Sequence, residues 1–307
     1  MTSPVPPSSL SWPTGAAVLP VSQVRPVLER LESLARTNPR DLTWIPGLAQ
    51  EDGEISADPP PALEQIVDEF GGIAVHGRRD LDLLIDERGD IGPYTMLGEA
   101  TSYYPLYEGS DVAVVLTLDE DGAPGAVYGI GEDLALRLAA LDLPSYLQRY
   151  ADALEAAVSG IDARLRELYD EDALDDEELR ADVGEQLLDA QLYAAVLGMG
   201  EQDDAAAVPL RPLGGDAAAD PLPAGGPAAD GSGAADGSGS ADGSGAAGVD
   251  PGSAAENAPA GAVAVADLRG AAPGAMVDVM DVNLPGDPLG QQVEWRDGGL
   301  LVYVVAE

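Results

Sequence analysis

Few residue types in this chain could do chemistry. It contains one histidine, no cysteine and no lysine, and all fifteen basic residues are arginine. Without lysine there is no phosphate-cradling G-K-[ST] loop and no Schiff-base amine. Without cysteine there are no disulfides, thiolate nucleophiles or zinc–thiolate sites. His76, in the run AVHGRRD at 74–80, would have to serve any Ser-His-Asp triad, yet no G-x-S-x-G elbow accompanies it. A histidine flanked by glycine and two arginines reads as a solvent-facing turn residue.

The acidic turn Asp119-Glu120-Asp121-Gly122 resembles a fragment of a calcium loop. It lacks the third acidic position before glycine and the distant glutamate, so a hairpin turn is expected there. Gly129-Ile130-Gly131 lacks the third glycine of a dinucleotide-binding loop and reads as a strand end. The run YDEDALDDEELRAD at 169–182 reads as a solvated helix face. Carboxylates are too abundant for paired-acid catalysis to be argued from spacing. No metal, cofactor or catalytic residue is therefore assigned.

Tyr103, Tyr104 and Tyr107, beside Pro105 and Glu108, form the densest cluster among only fourteen aromatic residues. Tyrosine buries a large area and keeps a polar tip, which suits an interface anchor. Equally, alternate tyrosines could complete a core beside a central strand, and both readings stay open. The candidate partner-binding set is Glu99, Tyr103, Tyr104, Tyr107, Glu108, Asp119, Glu120 and Asp121.

Charge narrows the partner. With 55 acidic against 15 basic residues the net charge is −40. Such a chain repels a phosphate backbone and an anionic membrane surface, and it steers cationic proteins toward itself. The charge is evenly spread: residues 1–200 carry −26 and residues 201–307 carry −14, about −0.13 per residue in each part. An even density reads as compositional background more than as a built patch. The start, MTSPVPPSSLSWPTGAAVLPV, has prolines where a signal peptide needs a continuous apolar helix, and it has no basic region. No run of 18 apolar residues is present, so a cytoplasmic, non-membrane protein is expected.

The elements that must position these groups follow from periodicity. Residues 1–20 read as a disordered proline-rich tail. Leu28, Leu31, Leu34 and Ala35 share one face of a helix from about Val24 to Arg36, ended by Thr37-Asn38-Pro39. Trp44, Ile45 and Leu48 read as an apolar loop. A second helix begins at Asp58-Pro59-Pro60-Pro61, buries Leu63, Ile66, Val67 and Phe70, and stops at Gly71-Gly72 in a left-handed conformation. Extended segments are expected at Ile73–Val75, Leu81–Ile85, Val112–Leu118 and Ala126–Ile130; VAVVLTL is apolar on both faces, as a central strand is. A helix follows with Leu143, Tyr146, Leu147, Tyr150, Leu154 and Val158 inward, punctuated by Ser159-Gly160.

Beyond the domain at 21–160, residues 161–200 read as an acidic helical extension with Leu179, Val183, Leu187 and Leu188 inward. Residues 201–261 carry three ADGSG copies amid alanine, glycine and proline, and read as a disordered linker. The segment 262–307 reads as short strands, with a hairpin around Asp297-Gly298-Gly299. Forty-six residues are marginal for an independent core, so docking on the first domain is expected.

The block 62–158 resembles the SUKH superfamily, which includes the fungal cell-wall-assembly regulator and many bacterial immunity proteins. The resemblance lies in PPALEQIVDEFGG at 60–72, AVVLTLDEDGAPGAVYGIG at 113–131 and LPSYLQRYADAL at 143–154. It extends over about 24–158 and implies an α+β fold, a mainly antiparallel sheet flanked by helices. It also implies a non-catalytic binding role, commonly neutralisation of a cognate toxin. The expected function is intracellular protein binding as an immunity protein against a basic toxin. The alternative is an assembly or regulatory protein that pairs strands through 262–307.

Overall fold

The computed structural model describes residues 19–50, 59–84, 102–108, 112–119, 121–131, 133–169, 174–194, 207–213, 258–279 and 291–306. They form an α+β fold whose sheets are almost entirely antiparallel. Helix α1 (Val21–Thr37) buries Val24, Val27, Leu28, Leu31 and Ala35. It ends where Asn38 Nδ2 donates to the Leu34 carbonyl at 3.0 Å, satisfying one of the orphan carbonyls of the last turn.

Strand β1 (Leu42–Pro46) follows, and α2 is a single turn (Glu64–Val67). Strands β2 (Phe70–Val75) and β3 (Arg78–Asp82) complete a three-stranded sheet in the order β1-β2-β3. Two expectations change here. Trp44 lies in a strand, with its ring 4.6 Å from that of Phe70. Gly71 and Gly72 do not stop a helix but sit in the central strand of this sheet. A Cβ on Gly72, at φ 148°, would stand 2.0 Å from the Leu81 carbonyl oxygen, so only glycine lets β3 approach.

The larger sheet contains β4 (Tyr103–Glu108), β5 (Val112–Leu118), β6 (Pro124–Gly131) and β7 (Leu136–Ala140). Helix α3 (Leu143–Leu168) covers one of its faces together with α1. Asp142 caps α3 by accepting from the Ser145 N–H at 2.7 Å, the expected N-terminal arrangement. The helix runs on through Ser159-Gly160, contrary to the punctuation read there, because Gly160 lies within α3 beside α4 (Glu177–Leu188). A π-helical turn, Asp189–Ala194, continues α4. Thus the acidic extension packs on α3, through Ile161, Leu165 and Val183.

The C-terminal residues build a third layer. Strands β8 (Arg211–Pro212), β9 (Ala262–Asp267), β11 (Gln291–Arg296) and β12 (Leu301–Ala306) form a sheet in the order β11-β12-β9-β8. Strand β10 (Met276–Val277) instead joins the larger sheet, pairing with β7. Residues 207–213, expected as linker, run beside these strands: Val208 N–H donates to Met276 O at 2.7 Å and Arg211 pairs with Val265. Residues 258–261 of the expected linker are also described and lead into β9; residues 201–206 and 214–257, and the expected tail up to residue 18, lie outside the described residues.

Alternation along each strand explains the layering. In β5, Val112, Val114 and Leu116 face the helices, while Ala113 and Val115 face the C-terminal sheet. In β12, Val302 and Val304 point back toward β5 and β6, and Leu301 and Tyr303 point away. The central sheet is therefore covered on both faces, which accounts for the buried run VAVVLTL, whose one polar residue, Thr117, donates to Ala126 O at 2.9 Å.

Candidate functional site

The acidic turn stands where two layers meet. Here the turn between β11 and β12 docks on the β5–β6 hairpin. Ala126 N–H donates to Gly298 O at 2.8 Å, and Tyr128 Oη donates to Gly299 O at 2.7 Å. A Cβ on Gly299 would stand 2.3 Å from Thr117 Oγ1, so the close approach demands glycine. Tyr128 and Trp295 stack at 5.5 Å with their planes 15° apart, a favourable aromatic pairing. Trp295 Nε1 donates to Ser102 O at 2.9 Å, so the indole N–H is satisfied despite its burial. Burial also holds the Tyr128 hydroxyl well above its ordinary pKa, fixing it as a neutral donor.

Beside this junction opens a cleft of about 410 Å³, lined by Ser102, Leu118, Asp119, Pro259, Ala260, Glu294, Trp295 and Arg296. Asp119 braces its own turn. Its Oδ1 accepts from the N–H of Asp121 at 3.0 Å and of Ala123 at 2.7 Å, an Asx-type turn. Arg296 Nη2 contacts Glu294 Oε2 at 3.1 Å on the opposite wall. The cleft thus presents two carboxylates and one guanidinium, with the buried Trp295 contributing only an edge. Such a surface can hold a peptide segment or a side chain.

The expected contact residues divide three ways. Asp119 lies in the cleft wall and Asp121 is exposed at the tip of the turn. Glu99 and Glu120 lie outside the described residues, as does the side chain of Glu108. Tyr103, Tyr104 and Tyr107 are buried, at 4, 6 and 6% exposure, so these three are core residues and have almost no surface to offer a partner. The correction has a physical cause: β4 is covered on both faces. Tyr103 packs into the inter-sheet core; Tyr104 and Tyr107 pack under the helices, and Tyr104 Oη donates to Leu83 O at 2.5 Å.

Two buried polar clusters were not visible in the motifs. Arg180 of α4 is 8% exposed. Its Nε and Nη2 meet Asp41 Oδ1 and Oδ2 at 2.5 and 3.0 Å, and its Nη1 meets Asp162 Oδ1 at 2.6 Å. The hydrogen bonds to Asp41 raise the Arg180 pKa, and the same guanidinium holds Asp162 below its usual range. A readable signal existed: Arg180 stands on the stripe formed with Val183, Gly184 and Leu187 (i, i+3, i+4, i+7), where an apolar residue is the norm. Elsewhere, Tyr150 Oη donates to Asp80 Oδ2 at 2.7 Å inside the helix-side core. Burial first, then the charge of Asp80, pushes that phenol far up.

His76 departs from its expected place. Its side chain is only 9% exposed, with Nδ1 3.9 Å from Asp41 Oδ1. Nε2 is enclosed without a hydrogen-bond partner and abuts Gly184 of α4. Desolvation lowers its pKa, against a smaller upward pull from Asp41.

Among the described residues no group of three His, Cys, Asp or Glu side chains is placed to hold a metal ion, and no helix is long and apolar enough to cross a membrane. Comparison of the chain with family models, curated proteins and solved structures gave no match.

Proposed function

We propose that this chain is a non-catalytic, cytoplasmic protein-binding domain of the SUKH type. Its partner is a basic protein, in the immunity reading a toxin, docked on the cleft and the adjoining acidic turn. The observation that carries this reading is the cleft itself: a recess between two sheets, lined by Asp119, Glu294 and Arg296 and flanked by a carboxylate turn braced by its own backbone. A turn fixed in this way presents Asp121 without an ordering cost on association. The net charge of −40 supplies long-range attraction for a cationic partner.

The residues richest in chemistry lend support, since they are turned inward: Arg180 bonds two carboxylates, Tyr150 bonds Asp80, and the His76 ring is enclosed under a helix.

The test is association kinetics with a basic protein captured by the full chain. Asp119→Asn keeps an oxygen to accept from the turn amides and removes the charge; Asp121→Asn removes the exposed one. The double variant is expected to associate about tenfold more slowly at low salt, with a flatter salt dependence, as loss of rim charge does. Its thermal midpoint should match that of the native protein. Unchanged association would leave the turn as ordinary surface.

A further inference from the structure

Helix α4 lies on top of the single histidine. His76 occupies the turn between β2 and β3 at φ 47°, and this left-handed geometry carries its ring under the helix. The ring fits because residue 184 is glycine: a Cβ there would stand 2.3 Å from Nε2 and 3.3 Å from Ile161 Cδ1. An enclosed ring nitrogen without a partner is costly and calls for an explanation.

Charged groups approach the ring from every packed element. Arg40 and Asp41 come from the turn before β1, and Glu177 and Arg180 from α4, while Asp162 of α3 meets Arg180. Arg78, on the same hairpin as His76, reaches Glu185 of α4 at 2.5 Å. Both oxygens of Asp41 already accept from Arg180, so the charge of the nearest carboxylate is shared with that guanidinium and only partly offsets the desolvation of the ring. A proton on the ring would add a second cation beside the Arg180 guanidinium. Its new N–H would face helix backbone whose carbonyls are engaged within the helix.

We propose that His76 is an acid-operated release for α4. While the ring is neutral, the helix stays docked on α3. When the ring takes a proton, docking weakens, and α4 opens away from Asp41 and Asp162 more often, uncovering the Ile161–Leu165–Val183 cluster. The direction of the His76 pKa, lowered from 6.5 chiefly by desolvation, agrees with this geometry. A group whose docked pKa lies below its free value binds fewer protons when docked. Docking is therefore strongest above the free value and weakens as pH falls through the window below it.

Hydrogen exchange on the full chain at pH 7.5 and 5.5, corrected for intrinsic rates, tests the release. Amides of α4 are expected to lose protection at the lower pH relative to α3 and β5, by up to about tenfold, the ceiling set by working one pH unit below the free value of 6.5. His76→Gln should keep α4 equally protected at both pH values. His76→Asn, whose side chain tolerates left-handed φ, repeats the test should the first variant fold poorly. Asp189, raised by burial and by Glu185, is the other perturbed acid at the end of α4, so Asp189→Asn should retain the native response. The proposal is overturned if native α4 keeps its protection at pH 5.5, if protection is lost uniformly over α3 and β5, or if the same loss persists in a His76 variant. Should neither variant fold, ring titration by NMR in the native chain decides, and an apparent pKa at or above 6.5 refutes it.

Discussion

Arg180 occupies a position that helical periodicity reserves for an apolar side chain, and two carboxylates explain why. Truncating one partner of a buried pair strands the other, so Arg180→Ala should cost about 3–5 kcal/mol by leaving Asp41 uncompensated. Asp162 is 54% exposed on its side chain, and Asp162→Asn should cost no more than about 1 kcal/mol, as exposed pairs do. Urea unfolding at pH 7.5 measures both. Arg180 was legible as an anomaly on its stripe, but its partners were not: Asp41 is distant in sequence and nothing local marks it. His76 misled for a related reason. Its neighbours Gly77 and Arg78 are exposed, yet the fold brings α4 across the ring from more than a hundred residues away. The sign of its pKa shift predicts that overall stability rises with pH from the lowered value up to 6.5. His76→Gln should flatten the urea midpoint across that window, apart from the opposing slope of Asp189, whose raised pKa favours the folded state at lower pH.

At the scale of elements, long or doubly buried segments were the readable ones. Strand β5 matches its expected span, Val112–Leu118, because a strand buried on both faces needs a nearly unbroken apolar run. The hairpin around Asp297-Gly298-Gly299 was equally plain from its turn residues, all three with positive φ. Strand β4 was less so, since tyrosines suit a core and an interface alike, and only tertiary coverage decides between them. The glycine pair at 71–72 carried two meanings, helix stop or close strand approach, and β3 selects the second. Gly72→Ala therefore separates the two: a helix stop would lose about 1 kcal/mol or less, as a C-cap glycine typically does. A Cβ 2.0 Å from a backbone oxygen should instead disrupt β2–β3 pairing, seen as lost amide protection in Ile73, Ala74 and Leu81.

The whole molecule is layered: helices, a central sheet, and a C-terminal sheet that completes the core. Its inner face buries Ala264, Ala266, Val293, Trp295, Val302 and Val304 against Tyr103, Val115, Tyr128, Ile130 and Leu138. The β10–β7 pairing shows the C-terminal residues contributing to the sheet of the first domain. A truncation before residue 258 should uncover that face, bind a hydrophobic dye strongly and aggregate. Trp295→Ala should cost about 3–5 kcal/mol as a large-to-small core change. The layering also makes the cleft, because Trp295 and Arg296 come from one sheet and Leu118 and Asp119 from the other. No local motif could announce a recess assembled by docking two sheets. The most direct measurement of the binding claim is amide protection across the native chain with and without its captured basic partner. Protection gained at Leu118–Ala123 and Glu294–Arg296 is the expected result. Protection gained only elsewhere, with these two segments unchanged, would contradict it.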